Sequence, residues 1–413
     1  MSWVHSILFW RSDGRILSRL VLMCGVFAGV ASLSVADDNS PFVIIRNRDK
    51  IALDQLACER VPLGALDDYK ASIAMLPSGE LLITMFRGER REDGKIFEQT
   101  VLHRSKDGGR TWSRGEALEI LGREPSLSVS QRGTVFVTTH LLAQELRNRD
   151  GYTHSYIHRS TDAGRTWVST RVEPEGFRER TTSLISRNVL QLSDGSLMLG
   201  ISEHEVNCKS FVLRSWDDGE TWSEVEEAQF ADVPNQYPWT LFGEAHLWQS
   251  AAGKILAVLR VGAGNSWPLV GTTDPGENDQ SERMVVYETT DAGRRWSKVG
   301  DLGTYGQMYM SILRLQTKEL LLTYTQRAIS LPLGVRAALG RETEDGFSFD
   351  LQRDQILLDT KTPPGVKSGG GFGPTVQLED GTLVTSYTYR RSDGRKLAEV
   401  VRWRLPGKDA REE

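Results

Sequence analysis

Lysine, arginine, glutamate and tyrosine return along this chain at two fixed distances from a repeated polar turn. About nine residues before the turn stand Lys70, Arg123, Arg187, Glu244, Tyr309 and Phe372, with His246 just behind Glu244. About seven residues after it come Phe86 and Arg87, then His140, Glu203 and His204, Arg260, Tyr324 to Arg327, and finally Tyr387 and Arg390. Arginine suits anion binding because its planar fork meets a carboxylate bidentately and its charge is never lost. Brought to one place, such residues make a polar pocket for a small anionic molecule. Left apart, they are rim side chains pairing in salt bridges.

Six segments supply the frame that would gather them. Each is a polar turn followed by an apolar strand: Gly79-Glu-Leu-Leu-Ile, Gly133-Thr-Val-Phe-Val, Gly195-Ser-Leu-Met-Leu, Gly253-Lys-Ile-Leu-Ala, Lys318-Glu-Leu-Leu-Leu and Gly381-Thr-Leu-Val-Thr. They start 54, 62, 58, 65 and 63 residues apart. Short apolar runs bounded by turn residues at regular spacing argue an all-β array. A period of about 60 residues holds four strands with their turns, which is one propeller blade. The expectation is therefore an all-β, six-bladed β-propeller, with the innermost strands converging on the axis. The strand Phe42 to Arg46 or Val400 to Leu405 should close the ring against the other terminus.

A second repeat alternates with the first. Ser105-Lys-Asp107-Gly-Gly109-Arg-Thr-Trp112, Ser160-Thr-Asp162-Ala-Gly164-Arg-Thr-Trp167, Ser215-Trp-Asp217-Asp-Gly219-Glu-Thr-Trp222 and Thr289-Thr-Asp291-Ala-Gly293-Arg-Arg-Trp296 share one pattern, at a period of 55 to 74 residues. The Asp carboxylate accepts N–H groups of its own loop, Gly supplies a positive φ, and Trp anchors the turn. A fifth copy, Thr343 to Phe349, is degenerate, with Phe349 in the Trp place.

This repeated Asp box on six blades resembles the sialidase (neuraminidase) superfamily over nearly the whole chain after its N-terminus. The boxes lie on the blade periphery in that family and do no chemistry. The resemblance implies arginines that hold a substrate carboxylate, a Tyr–Glu pair supplying the nucleophile, and a carboxylic acid for the leaving oxygen; sialidases depart from the usual two-carboxylate glycosidase scheme in this way. By that likeness Glu244 is the assisting glutamate, 16 residues before Arg260, Arg336 is the arginine from blade five, and Asp93 is the acid/base. Where the family has Phe-Arg-Ile-Pro in blade one this chain has Tyr69-Lys70-Ala-Ser, and the similar Gly122-Arg123-Glu-Pro125-Ser-Leu127 belongs to blade two. The nucleophile position in blade six holds Phe372, which has no oxygen. Three alternatives stand: Tyr309 replaces it, Tyr387 or Tyr389 reaches in, or the mechanism is absent. The substrate-binding set is then Arg123, Arg260, Arg336, Lys70 and His140.

The remaining sequence narrows the setting. A formal net charge of −5 gives no basic field, which argues against nucleic acid or an anionic membrane as partner. No metal-ligand spacing or phosphate loop occurs, so neither metal nor cofactor is expected. Arg11, Arg15 and Arg19 precede an apolar run from Leu20 to Leu33 and the small residues Ser34-Val35-Ala36, which reads as an export signal over 1–36. The mature chain, 37–413, is expected to be one domain, secreted or periplasmic, and a monomer. Cys58 and Cys208 remain after cleavage and leave one disulfide open. The expected activity is an exo-glycosidase of sialidase type acting on a carbohydrate ending in an acidic sugar. The competing classes are a non-catalytic carbohydrate-binding propeller, and a lyase or other glycosidase using His140, His204 or His246.

Overall fold

The computed structural model describes residues 40–46, 50–203, 209–222, 224–231, 241–261, 282–327, 332–344, 346–353, 355–359, 361–363 and 371–407. The expected export signal, His204 and Cys208 lie outside these residues; Cys58 is a free thiol. Apolar runs such as Leu81-Leu-Ile-Thr-Met-Phe are buried on both faces, so they become central strands.

Blade one comprises Tyr69–Met75, Leu81–Arg90, Ile96–Ser105 and Glu116–Ala117; blade two comprises Arg123–Val129, Val135–Leu141, His154–Ser160 and Val168–Arg171. Blade three begins with the broken inner strand Ser183–Ile185 and Leu190–Gln191, followed by Leu197–Glu203, Ser210–Ser215 and Glu224–Glu227. In blade four the order is His246–Gln249, Ile255–Val261, Arg283–Thr289 and Arg295–Leu302. Blade five has Gln307–Arg314, Leu320–Gln326 and Gly334–Thr343, the last pairing with both Gly346–Phe349 and Gln355–Leu357. The chain is a six-bladed β-propeller, with adjacent blades packing face to face: Leu82 and Leu102 of blade one against Val135 and Val137 of blade two, for example.

Closure differs in detail from the sequence expectation. Thr375–Gln377, Leu383–Arg390 and Lys396–Trp403 form blade six, and its outermost strand comes from the N-terminal side as Gln55–Leu63, in register from Cys58↔Trp403 to Leu63↔Ala398. Phe42–Arg46 instead bridges Gln55–Leu63 to Gln355–Leu357, so blades five and six are continuous. Arg60 locks this seam, donating to Tyr387 Oη at 2.8 Å and Glu399 Oε2 at 3.0 Å, while Lys361 Nζ reaches Glu399 Oε1 at 2.7 Å. Pairing both termini in one blade leaves no exposed strand edge there.

The four Asp boxes form as expected. Asp107, Asp162 and Asp217 accept the N–H of Thr111, Thr166 and Thr221, and Asp291 that of Arg295, each at 2.9 Å. Ser105 pairs with Leu81, and Tyr69 with Phe86, which sets the boxes and the starts of the innermost strands at opposite ends of the propeller.

Candidate functional site

The innermost strands of blades one, two and five, and the segments leading into those of blades four and six, carry the same backbone device at the end away from the boxes. Lys70, Glu124, Glu244, Tyr309 and Phe372 have φ of 56°, 55°, 61°, 55° and 54°. A non-glycine residue there is strained. In blades one, two and five the ladder slips at this point, between Tyr69 and Ser72, Arg123 and Ser126, and Met308 and Ser311. A bulge of this kind re-aims one side chain out of the sheet. Blade three reaches the same place with Arg187, in ordinary backbone. The strain is held by neighbouring blades: Ser72 Oγ accepts the Leu127 N–H at 3.0 Å, Asn188 Oδ1 that of Leu247 at 2.8 Å, and His246 Nε2 that of Ile312 at 3.3 Å. Burial lowers His246 to about 4, so the ring is neutral near pH 7, and the Ile312 N–H bond assigns the bare nitrogen to Nε2. His246 therefore joins blades, and its place in an acid/base scheme is taken by this structural bond.

These five residues and Arg187 meet. Lys70 Nζ contacts Glu124 Oε1 and lies 3.5 Å from Glu244 Oε1. Arg187 Nη2 donates to Glu124 Oε2 at 3.1 Å and to Glu244 Oε1 at 2.9 Å. Arg260 spans three partners: Nη1 contacts both Glu244 Oε2 and the Tyr309 hydroxyl, and Nε contacts Glu282. The Tyr309 and Phe372 rings pack against each other with centroids 4.3 Å apart and planes tilted by 39°. Arg187 Cζ sits 3.8 Å from the Phe372 centroid, and Arg327 Cζ 4.3 Å from that of Tyr309. Arg123 packs over Phe86 at 5.0 Å and lies 3.4 Å from Glu98.

Burial acts to raise the Glu244 and Glu124 carboxyls, but the surrounding cations outweigh it and hold both below the usual carboxylate range. Burial lowers Lys70 to about 7 despite its two glutamates, and lowers His140 to about 4, so His140 is neutral near pH 7. Glu98 goes the other way: burial raises its carboxyl, and Oε2 has no hydrogen-bond partner. The ring thus sets the basic side chains of Lys70, Arg123, Arg187, Arg260 and Arg327 among the carboxyl groups of Glu98, Glu124, Glu244 and Glu282.

Of the residues singled out in the sequence, Lys70, Glu244, Arg260, Tyr309, Arg123 and His140 come to this ring. Arg336 goes elsewhere: it is buried, donating to Gln355 Oε1 at 3.0 Å and the Pro332 carbonyl at 2.7 Å. Arg327, one of the residues after the blade-five turn, lies against Tyr309 instead and reaches Tyr69 Oη at 3.3 Å. Asp93 sits at the exposed tip of the hairpin joining Leu81–Arg90 to Ile96–Ser105, its carboxylate accepting the Lys95 N–H at 2.9 Å; no described contact joins it to the ring. Tyr387 is committed to the Arg60–Glu399 seam. Glu124 was masked in the sequence by Arg123 beside it, although the nine-residue spacing to Gly133 points to 124. Among the described residues no group of His, Cys, Asp and Glu has the form of a metal site.

The profile of the BNR repeat-like domain matches residues 68–267 and 125–350. No curated protein matches the chain in sequence. A solved protein of unknown function from Dyadobacter fermentans superposes with a TM-score of 0.63 at 19% identity, covering 89% of this chain and 99% of that one. The NanB sialidase of Streptococcus pneumoniae gives 0.59 at 11% identity, over 84% of this chain and 70% of that one. An α-L-arabinanase from Penicillium chrysogenum gives 0.52 at 14% identity, over 88% and 98%. At these identities the likeness is one of fold.

Proposed function

We propose that this chain, which belongs to the BNR repeat-like domain family, is an exported exo-glycosidase that removes a terminal acidic sugar from a glycan. The observation carrying this reading is that one guanidinium nitrogen of Arg260 touches both Glu244 Oε2 and the Tyr309 hydroxyl. A phenol and a carboxylate gathered by one cation are the parts of a tyrosine nucleophile with its base. In the proposed reaction the Tyr309 oxygen bonds to the anomeric carbon as its phenolic proton passes to Glu244. The bond to the leaving oxygen breaks, and that oxygen takes a proton from a carboxylic acid. Water then cleaves the tyrosyl intermediate with retention. Arg187, Arg260 and Arg327 hold the substrate carboxylate, with Lys70 and Arg123 beside them. Two carboxylic acids compete for the remaining role: Asp93 by sequence likeness, and Glu98 by its raised carboxyl close to Arg123.

Phe372 packed against Tyr309, with no oxygen of its own, supports a second reading, a carbohydrate-binding propeller without turnover. Incubating the protein with aryl sialosides and acidic oligosaccharides, and reading product masses, separates the two. Released acidic monosaccharide supports the first reading, and retained ligand without product the second. Cell fractionation tests export.

A further inference from the structure

The four Asp boxes are internal controls for one another, because they share three bonds: the Ser or Thr hydroxyl to the Asp, the Gly N–H to that hydroxyl, and the N–H four residues on to the Asp. The second residue of the box takes no part in those bonds, and it is Lys106, Thr161 and Thr290 in three copies. In the third copy it is Trp216, and its side chain is 56% exposed. Nothing in the turn requires an indole there, since the box closes in the other three without one. A lone exposed apolar side chain is ordinary on a protein surface, so the ring matters here for the cavity it borders. Among the described residues it is the sole tryptophan left so exposed.

Trp216 borders a cavity of about 560 Å³ between blades three and four, at the Asp-box end and thus opposite the axial ring. Its other walls include Asp194, Arg214, Gln249, Lys254 and Arg294. The Arg214 guanidinium lies 5.2 Å from the centroid of the Trp216 ring and is itself tied to Asp194 at 3.2 Å. Lys254 pairs with Glu288 at 2.9 Å, and Arg294 with Glu226 at 2.7 Å. Every cation named here already faces a carboxylate, so the cavity carries no net demand for a charged ligand. It offers a flat apolar ring backed by a cation, with the Gln249 amide and the Asp194 and Glu226 carboxylates among its walls.

From this combination we infer a second carbohydrate-binding site at the Asp-box end, in which a neutral pyranose ring of a glycan chain stacks on Trp216. One face of such a ring is a set of C–H bonds that covers an indole, while its hydroxyls take the polar rim. The site holds the polymer while the axial end faces a chain terminus, and it works whether or not the axial ring turns substrate over.

The test is affinity electrophoresis of the full chain in gels containing soluble xylan, galactomannan or hydroxyethyl cellulose, with polygalacturonate as the charged control. The site predicts retardation by at least one neutral polymer, lost by tenfold or more in affinity in Trp216→Ala and partly kept in Trp216→Phe. Both variants should melt as the parent does, because the residue is outside the core. Unchanged retardation in Trp216→Ala, or none by any neutral polymer in the parent, overturns the proposal. So does a fall from dimer to monomer in Trp216→Ala by light scattering, which would make the indole a contact between copies. None of these readouts uses hydrolysis, so they stand apart from the activity proposed for the axial ring.

Discussion

The two ends of this propeller handle repetition in opposite ways. At the Asp-box end nearly the same residue types recur and make the same core bonds four times over. At the axial end the same backbone recurs, with φ between 54° and 61° in five blades, yet the side chains are Lys70, Glu124, Glu244, Tyr309 and Phe372. A turn that stabilises each blade has one good solution and repeats it. A bulge that only aims a side chain leaves its identity open, and that freedom is where chemistry enters. The local strain, of order 1–2 kcal/mol per residue, is tolerated because adjoining blades fix the backbone around it.

The sharpest way to break the comparison is to exchange axial side chains without touching the backbone. Tyr309→Phe removes the attacking oxygen, and Glu244→Gln removes its base. Each should lower turnover of an acidic-sugar glycoside by two orders of magnitude or more, about 3 kcal/mol of barrier, while acidic-sugar affinity in Tyr309→Phe stays close to the parent. Steady-state kinetics with calorimetric titration checks both. Turnover surviving in Tyr309→Phe would leave the axial end a binding ring.

Acidity separates the two ends in sign. The Thr166 hydroxyl and N–H hold the half-buried Asp162 carboxyl below its usual range, so the box contribution is present near neutral pH and fades as pH falls through the carboxylate range. Asp359, beside Gly334 near the seam of blades five and six, is raised from 3.8 to about 7 by burial. Its folded-state pKa lies above the unfolded one, so the folded state binds more protons between pH 4 and 7. Its contribution is complete below pH 4 and lost as pH rises to 7, a change on the order of a few kcal/mol. Urea unfolding across that window should lose this component in Asp359→Asn. An unchanged slope would mean that Asp359 ionises freely in place.

Much of this was legible before any coordinates. Six turns and four boxes at regular intervals fix the blade count, and counting nine residues back from each turn finds Lys70, Glu244, Tyr309 and Phe372. The same count gives Glu124, but looking for an arginine led to Arg123. The axial bulges left no trace, because positive φ is announced in sequence by glycine and these five residues are not glycine. Gln55–Leu63 was missed as the closing strand: Glu59, Arg60 and Pro62 break its apolar pattern, and Arg60 is there for the buried seam. Arg336 was chosen by likeness of position, whereas folding turns it toward Gln355 and gives its expected neighbourhood to Arg327.

A milder test stays within the boxes. Asp162→Ala removes acceptors for two N–H groups and two hydroxyls, and should cost about 1–3 kcal/mol by denaturant unfolding. Axial activity of the folded protein should be unchanged. Activity falling in step with the number of boxes removed, at full folding, would show that the two ends are coupled.

The smallest effect concerns the one place where the outer repeat breaks its own rule. Gly79, Gly133, Gly195, Gly253 and Gly381 hold the first turn of their blades with φ of 82°, 86°, 84°, 87° and 84°; blade five has Lys318 there, at 68°. Lys318 is exposed, and its N–H makes the turn bond to the Leu315 carbonyl at 2.8 Å, as Gly79 does to Leu76 at 2.9 Å. The side chain therefore carries the left-handed strain, about 1–2 kcal/mol, without axial function in return. Lys318→Gly relieves that strain but loosens the unfolded chain by roughly 0.5–1 kcal/mol. The difference favours the variant by about 0.5–1 kcal/mol, and Gly79→Lys in blade one should lose a similar amount. Matched denaturation midpoints for the pair decide it. Opposite shifts would mean that the turn sets its own residue, as the boxes do, and a loss in Lys318→Gly would mean that this turn, like the axial bulges, is held by its neighbours rather than by its sequence.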